Sequence, residues 1–161
     1  MIVIVMGVSG SGKTTIGRLL AATLGWIFQE GDDAHPPDNL RKMAAGTPLT
    51  DADRLPWLRE LRRLIEGCLE TGEDAVLACS ALKESYREIL AGGLAGVRFV
   101  HLTGDPALIA DRLEHRQGHF MKAGMLAGQL AVIEPPEDGI SVEVDAAPEE
   151  IVAEILRRLG M

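Results

Sequence analysis

The 161-residue sequence is poor in cysteine and in positive charge, and its apolar start is short. Its two cysteines, Cys68 and Cys79, form no CxxC pair and predict a reduced intracellular protein. Because 16 basic residues face 24 acidic ones, the net charge of −8 excludes a general attraction for nucleic acid or acidic membranes. The apolar start, Ile2–Met6, lacks a basic flank and is too short for a signal peptide or a membrane span. We therefore expect a cytoplasmic protein with no nucleic-acid or membrane partner.

Several functional motifs are also missing. Asn39, the only asparagine, lies in PDNL, so the guanine-reading NKxD motif of GTPases is absent, and no DxxG follows a predicted strand. His115 and His119 are four residues apart, but no HExxH is present and Gly118 interrupts the helix, which disfavours a zinc site. The short chain without a basic face also disfavours a nucleic-acid motor.

Apolar β-branched runs alternate with helical patterns, which predicts an α/β fold with a five-stranded parallel sheet. The predicted strands are Ile2–Met6, Trp26–Glu30, Ala75–Cys79, Val97–Leu102 and Ser141–Val144. The predicted helices are Thr14–Leu24, Asp38–Ala45, Arg54–Glu70, Leu82–Leu90, Pro106–Arg116 and Pro148–Leu159. Residues from about 118 to 139 match no element, and one domain is expected over residues 1–161.

The segment GVSGSGKTT, residues 7–15, joins the first predicted strand to the first predicted helix and matches GxxxxGK[ST]. Glycines let backbone N–H groups turn toward phosphate oxygens, and the helix N-terminus adds partial positive charge there. Lys13 can reach the β- and γ-phosphates, and the Thr14 hydroxyl can bind Mg²⁺. The predicted ATP-binding residues are Gly7, Val8, Ser9, Gly10, Ser11, Gly12, Lys13, Thr14 and Thr15.

Two acidic residues, Glu30 and Asp32, end the second predicted strand. Their spacing of two places them on one side of the chain, near the carboxyl ends of the strands where α/β sheets bind ligands. One carboxylate can hold Mg²⁺ through water, and the other can orient a substrate hydroxyl. This pattern favours a small-molecule kinase.

Three further stretches, GDDAHPPDNLRKMAAGTPLTDADRLPWL (31–58), CSALKESYREIL (79–90) and DRLEHRQGHFMKAGMLAGQ (111–129), together resemble the small P-loop gluconokinases. The resemblance implies transfer of the γ-phosphate of ATP to the 6-hydroxyl of D-gluconate with Mg²⁺. It also implies a homodimer and a fold similar to shikimate and nucleoside monophosphate kinases, with a mobile lid at about 117–139. The family often has Asp-x-Asp after the second strand; Glu30 replaces the first Asp, and its longer side chain can still reach a Mg²⁺-bound water.

Gluconate carries one carboxylate and five hydroxyls, so its site needs a cation at one end and donors and acceptors along the rest. Asp32 is expected to face the attacking hydroxyl and to orient it more than to deprotonate it. The other candidate substrate-binding residues are His35, Asn39, Arg54, Lys83, Arg87 and His119. Lys83 and Arg87 lie four apart and Arg54 is expected to face the same cleft, so the cation that meets the carboxylate stays open.

Arg112 and Arg116 lie four residues apart where the fifth predicted helix leads into the lid. They are expected to be catalytic, neutralising charge that develops on the transferring phosphate. The alternative is that they are only arginines favoured by a helix C-terminus.

Two other functions remain open: a shikimate-type or other polyol-acid kinase, and a regulatory nucleotide-binding ATPase without an acceptor. The absence of a glycine triplet after the third predicted strand argues against shikimate.

Overall fold

The computed structural model describes residues 1–115 and 125–161. Its strands are β1 (Ile2–Met6), β2 (Ile27–Glu30), β3 (Ala75–Ala78), β4 (Val97–Thr103) and β5 (Ile140–Glu143). The α-helices are α1 (Lys13–Leu24), α2 (Pro37–Ala44), α3 (Asp51–Thr71), α4 (Glu84–Ala91), α5 (Pro106–Glu114), α6 (Leu126–Val132) and α7 (Pro148–Leu159), and a 3₁₀ turn (Gly31–Ala34) follows β2. Within these ranges, no helix combines the length and the apolar character needed to cross a membrane.

The strands form one sheet in the order β2-β3-β1-β4-β5, and every neighbouring pair is parallel. This confirms the predicted α/β fold with a five-stranded parallel sheet. The central strand β1 is apolar throughout because both of its faces are covered. Its even-numbered residues pack against α3 and α4, and its odd-numbered residues pack against α1 and α7.

A third, smaller apolar cluster lies under α6, in the region where the sequence indicated no regular element. Leu126 of α6 is buried there against Val8 and Ile109, with Leu130 and Ile133 packed on the edge. The expectation of an irregular segment over residues 118–139 is therefore wrong for Leu126–Val132. These three apolar residues repeat at helical spacing, but the pattern is short and glycines on and before the helix lower its propensity.

The lid at about 117–139 stays a prediction. Residues 116–124, which include the candidate residues Arg116 and His119, lie outside the described part of the chain.

Helix α3 begins at Asp51, three residues before the predicted start, because a capping box fixes its first turn. The Thr50 hydroxyl accepts a hydrogen bond from the Asp53 N–H at 3.1 Å, and the Asp53 carboxylate accepts one from the Thr50 N–H at 2.9 Å. Helix α4 begins at Glu84, two residues after the predicted start, with Lys83 in an extended conformation as its N-cap.

We predict that Gly31→Ala lowers the free energy of unfolding by about 1–3 kcal/mol, the usual cost of overfilling a packed site. Gly31 is buried where β2 ends, and a Cβ there would clash with the carbonyl oxygen of Ala78 and crowd Cys79. Gly67→Ala is the matched control, because Gly67 lies inside α3 and its Cβ would meet no atom within 4 Å. The control should gain about 0.5–1 kcal/mol.

Urea unfolding of both variants measures these free energies. A Gly31→Ala variant as stable as the wild type would contradict the close approach of Gly31 to β3.

Candidate active site

A cleft opens at the edge where β1, β2 and β3 end. Parallel strands bring their carboxyl ends to this one edge, which is where open α/β sheets bind ligands. Its lining comes from the segment after β1 (Ser9, Gly10, Gly12, Lys13, Thr14), the segment after β2 (Glu30, Asp32, His35), residues Met43, Leu49, Arg54 and Trp57, and Ser80, Met125 and Gln129.

The loop after β1 has the backbone that its glycines predict. Gly7, Gly10 and Gly12 have φ of 146°, 82° and 93°, a region that disfavours residues with a Cβ. A Cβ on Gly7 would also lie 2.8 Å from the Leu102 carbonyl oxygen, so the loop is pressed closely onto β4. Within this loop the Ser11 hydroxyl is buried and has no hydrogen-bond partner in the described ranges. The loop therefore has the shape of a phosphate-binding loop.

The two residues predicted to serve Mg²⁺ are in contact. The Thr14 hydroxyl donates a hydrogen bond to the Glu30 carboxylate at 2.8 Å. Burial raises the pKa of Glu30, and the Thr14 hydrogen bond acts against that rise. A hydroxyl and a carboxylate are hard oxygen ligands of the kind Mg²⁺ prefers, so these residues fit that ion. Beside them, the Lys13 ammonium donates to the Val8 carbonyl at 3.0 Å.

Across the cleft, an aromatic pair supports the residues after β2. The indole N–H of Trp57 donates to the Gly31 carbonyl at 2.7 Å, so α3 holds the start of the 3₁₀ turn. The His35 ring stacks on Trp57 with centroids 4.3 Å apart and an interplanar angle of 14°. Trp57 is buried and also forms a wall of the cleft.

His35 is neutral and is held in one tautomer. The Asn39 side-chain N–H₂ donates to the Asp53 carbonyl at 2.8 Å and lies 3.2 Å from His35 Nδ1. Because an amide nitrogen only donates, Nδ1 accepts and the hydrogen sits on Nε2. Burial lowers the pKa of His35, which favours the neutral ring. Nε2 lies 3.9 Å from the Asp32 carboxylate, and both residues line the cleft.

Asn39 therefore supports His35 from behind and does not line the cleft. Because Asn39 is buried behind His35, the structure does not support its predicted direct contact with the substrate.

The three candidate carboxylate-binding cations have different surroundings. Arg54 lines the cleft, and its guanidinium donates to the Leu49 carbonyl. Lys83 lies outside the cleft and is paired with Asp51, with Nζ 3.0 Å from Oδ1. Arg87 is only 2% exposed in its side chain.

Arg87 was expected beside Lys83 at the substrate, but the structure does not place it there. Its guanidinium donates to the Ala81 carbonyl at 3.0 Å and to the Glu84 carboxylate. Ala81 has φ of 43°, an unusual value for a residue with a Cβ, and the Arg87 bond holds this turn after β3. Arg87 is thus a support of the turn that carries Ser80 into the cleft.

A second cavity, which we call the side cavity, adjoins the cleft. The two spaces share Leu49, Arg54, Met125 and Gln129. The side cavity continues between the loop before α3, the start of α4 and α6, and Lys83 lines it. Arg54 and Gln129 therefore stand at the junction of the two spaces.

The remaining candidates lie apart from the cleft lining. Arg112 donates to the Val144 carbonyl at 2.7 Å, which ties α5 to the end of β5. Thr15 is exposed on α1, and the Val8 side chain is buried in the cluster under α6. For Val8 and Thr15, contact with a nucleotide can involve only backbone or peripheral groups in this arrangement.

Six residues that line the cleft were not predicted as site residues: Met43, Leu49, Trp57, Ser80, Met125 and Gln129. Ser80 follows β3 by two residues and reaches the same sheet edge as Asp32. Gln129 lies 120 residues beyond Ser9, with which it forms a hydrogen bond, and no local pattern marks that pair.

Comparison with known proteins places this geometry in a family. The family model described as shikimate kinase matches residues 9–159. A gluconokinase of Gluconobacter oxydans is 49% identical over 157 residues, covering 96% of this chain and 88% of that protein. Two crystal structures have the same fold. A sugar kinase from Janibacter sp. is 42% identical, with a TM-score of 0.92, and the match covers 99% of this chain and 94% of that one. A gluconokinase from Sinorhizobium meliloti is 44% identical, with a TM-score of 0.85, and the match covers 98% of this chain and 90% of that one.

Identity at this level over almost the whole chain goes beyond a shared fold, and the phosphate-binding loop, the paired Thr14 and Glu30, and the acidic residue Asp32 lie together in one cleft. The chain therefore belongs to the gluconokinases, within the P-loop kinases that the shikimate kinase model covers.

Proposed function

We propose that this enzyme transfers the γ-phosphoryl group of ATP to the 6-hydroxyl of D-gluconate, giving 6-phosphogluconate and ADP. The observation that carries the proposal is the single cleft that joins a phosphate-binding loop to Asp32, His35 and Arg54. The relatives named gluconokinase, at 40–49% identity in bacteria, support gluconate as the acceptor. A shikimate-type kinase or an ATPase without an acceptor is favoured by no feature of the cleft.

On the donor side, the loop after β1 binds the phosphates. Its N–H groups and the N-terminus of α1 provide partial positive charge, and Lys13 adds a full charge beside them. Thr14 and Glu30 would hold Mg²⁺, Glu30 through a water, and the ion would neutralise charge on the β- and γ-phosphate oxygens. A chain of net charge −8 needs such a local concentration of positive charge to bind ATP.

On the acceptor side, Asp32 accepts a hydrogen bond from the attacking hydroxyl and orients its oxygen toward the γ-phosphorus. Neutral His35 presents Nε2–H beside Asp32, so it is placed to donate to a second hydroxyl of the sugar acid. Phosphoryl transfer depends mainly on positioning and charge neutralisation, and Trp57 and Asn39 fix the His35 ring before substrate arrives.

Arg54 is the cation that we assign to the gluconate carboxylate. It lines the cleft itself, whereas Lys83 is paired with Asp51 and Arg87 is buried against backbone carbonyls. A guanidinium can bind a carboxylate through two parallel hydrogen bonds. Arg112 and Arg116 keep their proposed role on the transferring phosphate, although Arg112 does not line the cleft and donates to the Val144 carbonyl just after β5.

The cytoplasm is the proposed location and the homodimer the proposed assembly. Both cysteines are free, and burial raises the pKa of the Cys79 thiol to about 12, in keeping with a protein that relies on no disulfide. Light scattering on the purified protein measures the assembly.

The acceptor is tested by ADP release from ATP alone and from ATP with gluconate, shikimate or a nucleoside monophosphate. We expect stimulation by gluconate only, because Asp32, His35 and Arg54 suit a polyhydroxy acid. Stimulation by shikimate or a nucleotide instead would refute the acceptor, and stimulation by none of them would favour the regulatory ATPase.

Asp32→Asn should lower kcat by at least ~10²-fold, the low end for a group that handles a substrate proton. Binding of ATP should be largely kept, because the phosphate-binding loop is unchanged. Asp33→Asn is the matched control: Asp33 is the next residue, is exposed and does not line the cleft. Steady-state kinetics and nucleotide titration measure both effects; near-normal turnover of Asp32→Asn would remove Asp32 from the reaction.

Arg54→Met should raise KM for gluconate by about 10- to 100-fold, as expected from loss of a charged hydrogen-bonding partner worth ~1.5–3 kcal/mol. KM for ATP should change little. Lys83→Met is the comparison, because Lys83 lines only the side cavity and is paired with Asp51. If Lys83→Met raises KM for gluconate more than Arg54→Met does, the carboxylate lies in the side cavity against Lys83.

A further inference from the structure

Helix α6 is attached to the rest of the molecule along one face and just after its C-terminus. Its apolar face packs on Val8 of the phosphate-binding loop. After its C-terminus, the Glu134 N–H donates to the Leu82 carbonyl at 2.8 Å, and the Glu134 carboxylate accepts from the Glu84 N–H at 2.5 Å. Helix α6 therefore bridges the donor loop and the turn after β3.

Gln129 makes the polar contact between α6 and the phosphate-binding loop. Its side-chain Oε1 accepts a hydrogen bond from the Ser9 N–H at 2.7 Å. This bond is short for a neutral pair and fixes the plane of the carboxamide. The Nε2 group has no hydrogen-bond partner in residues 1–115 and 125–161, although it carries two N–H donors.

The position of Gln129 relates it to the transferred group. Ser9 is the third residue of the loop motif that begins at Gly7, and Lys13 lines the same cleft. Gln129 also lines the side cavity together with Arg54, so it stands between the phosphate-binding residues and the acceptor residues. A phosphoryl group that passes from donor to acceptor must cross this space.

We propose that Gln129 contacts the transferred phosphoryl group, with Oε1 anchored on the Ser9 N–H and Nε2–H₂ donating to a γ-phosphoryl oxygen. During transfer the bond from the γ-phosphorus to the β–γ bridging oxygen breaks, and the acceptor hydroxyl oxygen bonds to phosphorus. The hydroxyl proton leaves to Asp32, the bridging electrons stay with ADP, and Gln129 exchanges no proton. A neutral donor fixed in advance stabilises negative charge on the equatorial oxygens without needing to reorient.

This inference rests on the proposed gluconate kinase activity, and two substitutions of Gln129 test it. Gln129→Glu keeps an oxygen for the Ser9 N–H but turns a negative charge toward the phosphoryl group. Gln129→Ala removes both the anchor and the donor. We expect kcat with gluconate to fall at least ~10-fold in both, below the ~10²–10³-fold typical of a lone oxyanion donor because other groups share the charge.

The control is Leu130→Ala, one residue further along α6. Leu130 packs on the apolar cluster under the helix and lines neither the cleft nor the side cavity. This variant should lower Tm by loosening α6 while keeping kcat within ~3-fold, a change of less than about 1 kcal/mol in the barrier. The Leu130→Ala variant therefore shows how much of any loss in kcat comes from weaker attachment of α6 and how much comes from the loss of the contact with the phosphoryl group.

A binding measurement tests the same contact without any acceptor. Affinities of each variant for ADP and for an imido-bridged ATP analogue are compared by calorimetry. Gln129→Ala should weaken analogue binding at least ~3-fold more than ADP binding, because only the analogue carries a γ-phosphoryl group, and Leu130→Ala should leave the ratio unchanged.

The proposal is overturned if Gln129→Ala lowers Tm as Leu130→Ala does but keeps kcat and the ratio of affinities. If the wild type does not use gluconate, the acceptor is wrong, and the ratio still decides the role of Gln129.

Discussion

The parallel pairing of β1 with β3 and β4 is the constraint on which the site depends. Register places Met6 beside His101 and Val5 beside Ala78, so the segments that follow these strands leave the sheet at one edge. There the Gly7 N–H donates to the Ser80 carbonyl, at 3.3 Å, and binds the start of the phosphate-binding loop to the turn after β3. An antiparallel neighbour would send one of these segments to the opposite edge, and no cleft would form.

The acceptor side is held by backbone contacts that tolerate little change. Gly31 lies so close to β3 that a side chain would clash with Ala78, and its carbonyl accepts from the Trp57 indole. Trp57 in turn supports the His35 ring. Because each contact positions the next, the Asp32 carboxylate is placed by packing of α3 against the 3₁₀ turn (Gly31–Ala34). The contacts that stabilise this part of the fold therefore also position the residues that bind the acceptor.

The sequence predicts the donor site well and the supporting residues poorly, for a physical reason. A phosphate-binding loop is a local object, so its glycines, lysine and threonine must follow one another, and GVSGSGKTT contains them all. Glu30 and Asp32 could be placed because strand ends meet at one edge. The position of Arg87 could not be predicted, because a helical spacing of four from Lys83 does not say which of the two side chains turns inward. In the structure Arg87 turns inward and donates to the Ala81 carbonyl. Gln129 meets Ser9 only after the whole fold has formed.

Three apolar clusters of unequal size hold the helices of the molecule in place. Two large clusters cover the faces of the sheet and hold α1, α3, α4 and α7. The third, under α6, is smaller and includes Val8 from the phosphate-binding loop itself. Because less apolar surface anchors α6, its detachment costs less than the opening of either face of the sheet. The helix that carries Gln129 is therefore anchored by less apolar contact than the helices on the two faces of the sheet, and the Ser9–Gln129 hydrogen bond supplies the polar part of its attachment to the phosphate-binding loop.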